Sequence, residues 1–327
     1  MMDRRQLCAG LLAAPFAAAA PSILRAQNFP ARPIRLVVPY AAGGGTDALA
    51  RVVAQAMAEK AGWSVVVENI TGAGGNLATQ NVASAPPDGY TLLQANQGPM
   101  AVNPHIFKNL KVNPLTAFDP ITLIAAAPLV VVVPPKSEFT DIKQLIAYAK
   151  ANPGKLTYGS AGNGSASHLA TVLLNVVAKI ETIHVPYKGA GPALNDLLGM
   201  QTQFMVTTIP SVLGMIEGKL LRPLAVTSKD PVTVLPGVPT VAESGWPDYE
   251  STAWYGFVVP AGTPKDVIET LRKTTVEAIN TPLVKQRLEG EGARPVGNTP
   301  AEFAEFMKKD SARWAEIAKT GVITLNN

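Results

Sequence analysis

One cysteine in 327 residues is the first scarcity. It is Cys8, inside an N-terminal stretch that reads as an export signal. The rest of the chain then has no disulfide and no thiol chemistry, and only its core can hold it together. Histidine is scarce too. His105, His168 and His184 sit far apart in the chain, which offers no cluster of metal ligands. Charged residues are only 16% of the chain, with a formal net charge of +4. Removing residues 1–26 takes away Arg4, Arg5, Arg25 and Asp3, leaving 25 basic and 23 acidic residues. That near balance argues against nucleic acid and against a polybasic membrane contact. Beyond the N-terminal stretch no apolar run is long enough to span a bilayer. Ile121 to Val133 is flanked by breakers and reads as strand. Low-complexity segments and repeats of fixed period are absent.

What is present begins with that N-terminus. Asp3-Arg4-Arg5 is a basic n-region, Leu7 to Ala20 an apolar h-region, and a cut is expected after the small residue Ala26, with Leu24 a departure from the usual small residue at −3. Residues 1–26 therefore read as a signal peptide for the periplasm. The Arg4-Arg5 pair alone does not separate general from twin-arginine export. Hydrophobic content of 47% suits a packed core, and the length suits two ordinary domains.

The chain is organised around Val37 to Asp47. The apolar run Ile34–Val38 predicts a strand, a glycine cluster follows, and Leu49, Val52, Val53 and Met57 fall on one helical face. A strand, a glycine turn and a helix start make an anion-binding device, because free helix N–H groups point into a turn that a ligand can approach closely. The device recurs. Ser64 to Asn69 predicts a strand entering Ile70–Asn76, with Asn76 as a helix cap. Leu156 to Gly159 enters Ser160–Ser165, and Ile183–Pro186 enters Tyr187–Pro192. Strands alternating with helices imply α/β lobes, each a mostly parallel sheet flanked by helices. Leu129–Val133 and Trp254–Pro260 lack such turns and read as crossing strands between two lobes. The boundaries expected are 27–130 with 255–327 for lobe one, and 131–254 for lobe two. Thr263-Pro264 predicts a helix with proline at its first position, and Thr299 to Glu302 is a capping box.

Several chemistries fail on spacing. Gly43-Gly44-Gly45 is not a dinucleotide fingerprint, and Gly159, Gly162 and Gly164 run in the reverse order. Gly214 to Leu220 is one residue short of a phosphate loop. A secreted serine hydrolase is the alternative of another class. Ser165 and His168 lie three apart on one helix and can touch, but no orienting acid is near. The plainer reading has Ser165 capping the helix and His168 supporting the loop. One glycine turn is more often structural than ligand-binding. Four at the carboxyl ends of strands, split between two lobes, point to a cleft. Tyr40, Tyr187 and Trp254 are candidates to line it, and Lys188 is the only cation in the four turns.

These residues carry a specific resemblance. Pro33 to Tyr40 with Gly43-Gly44 and Asp47, Val67-Glu68-Asn69 with Gly72 to Gly75, Pro87 to Leu93, Gly159 to Ala170, His184 to Gly189, Gly218 to Ser228, Leu235 to Thr240 and Trp254 to Pro264 resemble, in order, the Bug family. These are the periplasmic solute receptors of tripartite tricarboxylate transporters. The resemblance implies a two-lobed, type II-like periplasmic-binding-protein fold. It implies capture of a small organic acid, delivery to membrane permease subunits, and in some members a sensor partner. No cofactor, metal or catalysis is expected, and the protein reads as a monomer. Carried over by position, lobe one holds the carboxylate through Tyr40, Ala41, Ala42, Gly43, Gly44, Asn69, Ala73, Gly74 and Gly75. Lobe two contributes Ser160, Gly162, Gly164, Ser165, His168 and Tyr187. After Phe204–Val206 the family pattern leads one to expect aspartate, and this chain has Thr207, which favours a less cationic ligand group.

Overall fold

The computed structural model describes residues 29–290, 292–319 and 321. The signal-peptide expectation therefore lies outside the described residues. Among the described residues nine strands form around two cores. β1 (Ile34–Val38), β2 (Val65–Asn69) and β3 (Thr91–Asn96) are parallel neighbours in the order β2-β1-β3. α1 (Gly45–Ala61) and α2 (Asn76–Ala83) connect them. The short helices α3 (Asn103–Ile106) and α4 (Pro114–Ala117) lead to β4 (Phe118–Val133). The second lobe carries α5 (Ile142–Ala151), β5 (Thr157–Ser160), α6 (Ala166–Ala178), β6 (Ile183–Pro186), α7 (Ala190–Leu198), β7 (Phe204–Thr208), α8 (Ile209–Glu217) and β8 (Arg222–Val226). β9 (Thr252–Pro260), α9 (Lys265–Ile279), α10 (Pro282–Glu289) and α11 (Pro300–Lys319) return to the first.

β4 joins the lobes. From Phe118 to Pro128 it runs antiparallel to β9, and from Leu129 onward it pairs with β7 and β8 instead. Its sixteen residues are nearly all buried, as expected of a strand covered on both faces. β5 pairs with β6 and β7 in parallel, so the second lobe repeats the wiring of the first. The larger core fills lobe one, runs along the crossing strands and continues into lobe two under α5 and α6. A smaller one, with Val130, Val132, Leu194, Leu197, Met205 and Val212, sits under α7 and α8.

Local chemistry places the helix ends. The capping box forms as expected: Glu302 N–H donates to Thr299 Oγ1 at 3.3 Å, and Thr299 N–H donates to Glu302 Oε2 at 2.8 Å. Ser165 caps α6, accepting from His168 N–H. Two expectations need correction. Asn76 is the first residue of α2, not its cap; its side-chain oxygen accepts from Asn103 Nδ2 at 2.6 Å, and Gly75 holds the capping position at φ 93°. Pro264 occupies the capping position of α9 rather than its first turn. α8 and α10 lie outside the sequence reading, although Thr281-Pro282 repeats the start signal of Thr263-Pro264 and Pro210 lies in the first turn of α8.

Candidate functional site

The first turn is braced from behind. Asp47, on the first turn of α1, accepts from Gly43 N–H at 3.0 Å and from the Arg51 guanidinium through both oxygens. Asn69, at the end of β2, donates to Asp47 Oδ1 and to the Tyr40 carbonyl, each at 2.9 Å. Burial works against the Asp47 carboxylate, but these donors hold it below the ordinary carboxylate range. The turn from Tyr40 to Gly44 thus spends the Gly43 N–H on its brace, while the start of α1 itself has no side-chain cap.

The turn in lobe two is braced by imidazoles. Gly164 N–H donates to His168 Nδ1 at 3.1 Å, and Ser160 Oγ contacts His184 Nε2 at 2.6 Å. The His168 and His184 rings stack with centroids 4.1 Å apart, and Tyr158 stacks on the far side of His184. His168 and His184, distant in sequence, are therefore face to face. Burial pushes His168 down to about 3, helped by the charge of His184, and His184 down to about 4. The serine-hydrolase arrangement does not form. Ser165 Oγ meets the His168 backbone N–H and Ser167 Oγ, while His168 Nδ1 is taken by Gly164. Ser160 does meet a histidine ring, but it is completely buried.

Between the lobes lies a cavity of about 390 Å³. Lobe one supplies the turn from Tyr40 to Thr46 and the corner Asn96-Gln97-Gly98 at the end of β3. The crossing strand supplies Ala253, Trp254 and Tyr255. Lobe two supplies Ala161, Ser165 to Ser167, Lys188 to Pro192, Thr207, Thr208 and Ser211. The starts of four helices open onto this space: α1, α6, α7 and α8. Only α6 is capped by a side chain. Each free helix start carries roughly +0.5 of an elementary charge. No acidic side chain lines the cavity, and Lys188 is the one basic residue among its lining residues. The arrangement attracts an anion through fixed backbone dipoles. Its alanines, glycines and aromatic rings leave room for a small apolar body.

The structure brings Tyr40, Ala41, Ala42, Gly43, Gly44, Ser165 and Thr207 to the cavity wall. Asn69 stands behind that wall as a brace. Ser160, Gly162, Gly164 and His168 frame the lobe-two turn. Tyr187 turns its hydroxyl to donate to Asp196 Oδ2 at 2.6 Å. The turn with Ala73, Gly74 and Gly75 packs against the other lobe: a Cβ on Gly74 would lie 2.7 Å from the Asn163 carbonyl oxygen. Sequence reasoning missed Asn96, Gln97 and Gly98, although they form one more polar-and-glycine turn at the carboxyl end of a strand. It also missed Thr208 and Ser211, whose one signal is Pro210 in the first turn of α8 behind a threonine at the capping position.

Comparison with known proteins follows the same lines. The family model described as tripartite tricarboxylate transporter family receptor matches residues 49–322. Protein BugT of Bordetella pertussis is 35% identical over 319 residues, covering 97% of each chain. The structure of R. palustris Rpa4515 with adipate matches with a TM-score of 0.86 at 35% identity, over 90% of this chain and 99% of that one. MatC (Rpa3494) from Rhodopseudomonas palustris with bound malate matches with a TM-score of 0.83 at 31% identity, over 89% and 100%.

Proposed function

This chain belongs to the tripartite tricarboxylate transporter receptor family, and from that premise we propose how it captures its ligand. It is a solute-binding receptor for a small organic acid. The acid's carboxylate sits at the free start of α1 and the turn Tyr40–Gly44. Lobe two closes over it with the starts of α7 and α8 and with the hydroxyls of Thr207 and Ser211. The related structures that hold adipate and malate support a dicarboxylic acid as the first class to test.

The observation that carries this reading is the cavity between the lobes, with three uncapped helix starts and no acidic side chain. Lobe one is residues 27–130 with 255–327, and lobe two is 131–254; the exchange of β4 partners after Pro128 supports that division. The receptor works in the periplasm as a monomer, hands its ligand to the membrane permease subunits, and catalyses nothing. Native mass spectrometry of the purified protein, then calorimetry with the copurifying compound, adipate and malate, tests the reading. One acid bound per chain is expected, with no turnover of small esters. No binding across mono-, di- and tricarboxylates, or ester turnover lost in Ser165→Ala, overturns it.

A further inference from the structure

The cavity's back wall is held from outside the cavity. Trp254 and Gln97 both line it, and each has one donating side-chain nitrogen. Both donors turn away from the ligand space toward the same carboxylate. Trp254 Nε1 donates to Asp310 Oδ2 at 2.8 Å, and Gln97 Nε2 reaches the two Asp310 oxygens at 3.2 and 3.4 Å. Asp310 belongs to α11, does not line the cavity, and is half-buried. The indole N–H can only donate, so its partner must accept. That carboxylate also sets the Gln97 amide: the nitrogen faces Asp310, and the oxygen is left buried without a partner among the described residues. On the same helix, Phe303 and Phe306 meet the Trp254 ring edge-on, with centroids 5.8 and 5.5 Å away. The next residue along from Gln97 is Gly98, where the lobes touch with the least room. A Cβ there would lie 2.1 Å from the Gly164 carbonyl oxygen, so a displacement of a few tenths of an ångström at this corner is felt by the opposite lobe.

We propose that Asp310 is a positioning residue for ligand capture, one that fixes the Trp254–Gln97 wall and the Gly98 corner against which lobe two closes. This assignment rests on the solute-receptor reading only for its ligand arm. Closure itself can be read without ligand. Gly45 and Thr208 face each other across the cleft, with an ideal Gly45 Cβ 3.8 Å from Thr208 Cβ. That spacing is the mean for a disulfide. In a Cys8→Ser background, the rate at which Gly45→Cys with Thr208→Cys oxidises in ligand-free protein reports how often the closed geometry is reached.

The test compares Asp310→Ala and Asp310→Asn with Lys309→Ala, a solvent-exposed neighbour on the same helix. The indole N–H resonance of Trp254, assigned with Trp254→Phe, reports the local bond. Asp310→Ala should move that resonance and slow cross-linking about tenfold, while Lys309→Ala changes neither. Asp310→Asn keeps one acceptor for the indole and should recover much of the rate. Adipate and malate affinity should fall in step with the cross-linking rate. Wild-type cross-linking in folded Asp310→Ala overturns the proposal, and so does a slowing that Asp310→Asn fails to relieve. Should Asp310→Ala not fold, Asp310→Asn decides: a moved resonance with slowed cross-linking supports the role, and an unmoved resonance or wild-type cross-linking overturns it. If the wild type binds neither acid, the solute reading suffers and the cross-linking arm still decides this one.

Discussion

Lys188 is the residue on which two accounts of ligand charge diverge. It lines the cavity, yet it is exposed and can swing into solvent. An exposed ion pair contributes about 0–1 kcal/mol, so Lys188→Ala should weaken acid binding less than about fivefold. A buried counter-ion would instead cost about 3–5 kcal/mol on removal, several hundred-fold or more. Calorimetry on the folded variant separates the two, and a loss of the larger size would replace the helix-start account with a salt bridge. The histidine pair makes a different residue-scale prediction. Unfolded histidine titrates near pH 6.5, whereas His168 and His184 stay neutral in the fold until about 3 and about 4. Above pH 6.5 both states are neutral and the contribution is fully present. As pH falls from 6.5 toward 4, the unfolded chain takes up protons that the folded one refuses. Stability then drops by up to about 1.4 kcal/mol per pH unit for each ring. Thermal melts between pH 6.5 and 4.5 should show this slope, and His168→Gln with His184→Gln should flatten it. An equal slope in that double variant would show that other groups set it. Ligand affinity, by contrast, should stay nearly flat from pH 6 to 8, since neither ring changes charge there.

At the scale of elements, the close meeting of Gly98 with Gly164 is the sharpest constraint. Gly98 does not have a positive φ, so alanine is conformationally allowed there. In an open molecule Gly98→Ala escapes the Gly164 carbonyl and keeps only a tight contact with the Tyr40 hydroxyl, 3.1 Å from the added Cβ, so its melting temperature should fall only slightly. In the closed one the new methyl meets the Gly164 carbonyl oxygen. Overpacking of this kind costs about 1–3 kcal/mol, a loss of roughly 5- to 150-fold in affinity. Wild-type affinity in Gly98→Ala would mean that the lobes close along another path. The same elements explain what was legible in the sequence. The turn after β1 is readable because its glycines interrupt an apolar strand and a periodic helix. The turn at Ser160–Ser165 is readable for the same reason, and both come to the cavity. α8 is harder to read, because the short strand β7 runs straight into it without a glycine, and only Thr208 and Pro210 mark its start. The strand period and the helix period blur there, so Thr208 and Ser211 went unassigned. Position alone also cannot say which way a side chain turns. Tyr187 and Asn69 sit in the right turns, but one bonds Asp196 and the other braces Tyr40.

At the scale of the whole molecule, two crossing strands, these touching turns and peripheral contacts such as Arg313 to the Glu250 carbonyl relate the lobes. β4 and β9 give a path for hinging, and the cavity has walls from both sides. A ligand shifts an open–closed equilibrium only by its difference in affinity for the two states. An anion held between helix starts of opposite lobes supplies that difference, because without it like-signed dipole ends of α1 and α8 confront each other near Gly45 and Thr208. The ligand-free protein should therefore be mostly open, with a larger radius of gyration than the acid-bound form in small-angle scattering. The disulfide between Gly45→Cys and Thr208→Cys turns that expectation into a decisive comparison. Gly45 opens α1 without a positive φ, so cysteine fits there without backbone strain. Once oxidised, the protein should have the radius of the acid-bound wild type with no acid present. It should also exclude added adipate, since the cleft cannot reopen. Reduction should restore both the larger radius and binding. A locked protein as expanded as the ligand-free wild type would show that Gly45 and Thr208 meet without closure, and the hinge account would fall with it.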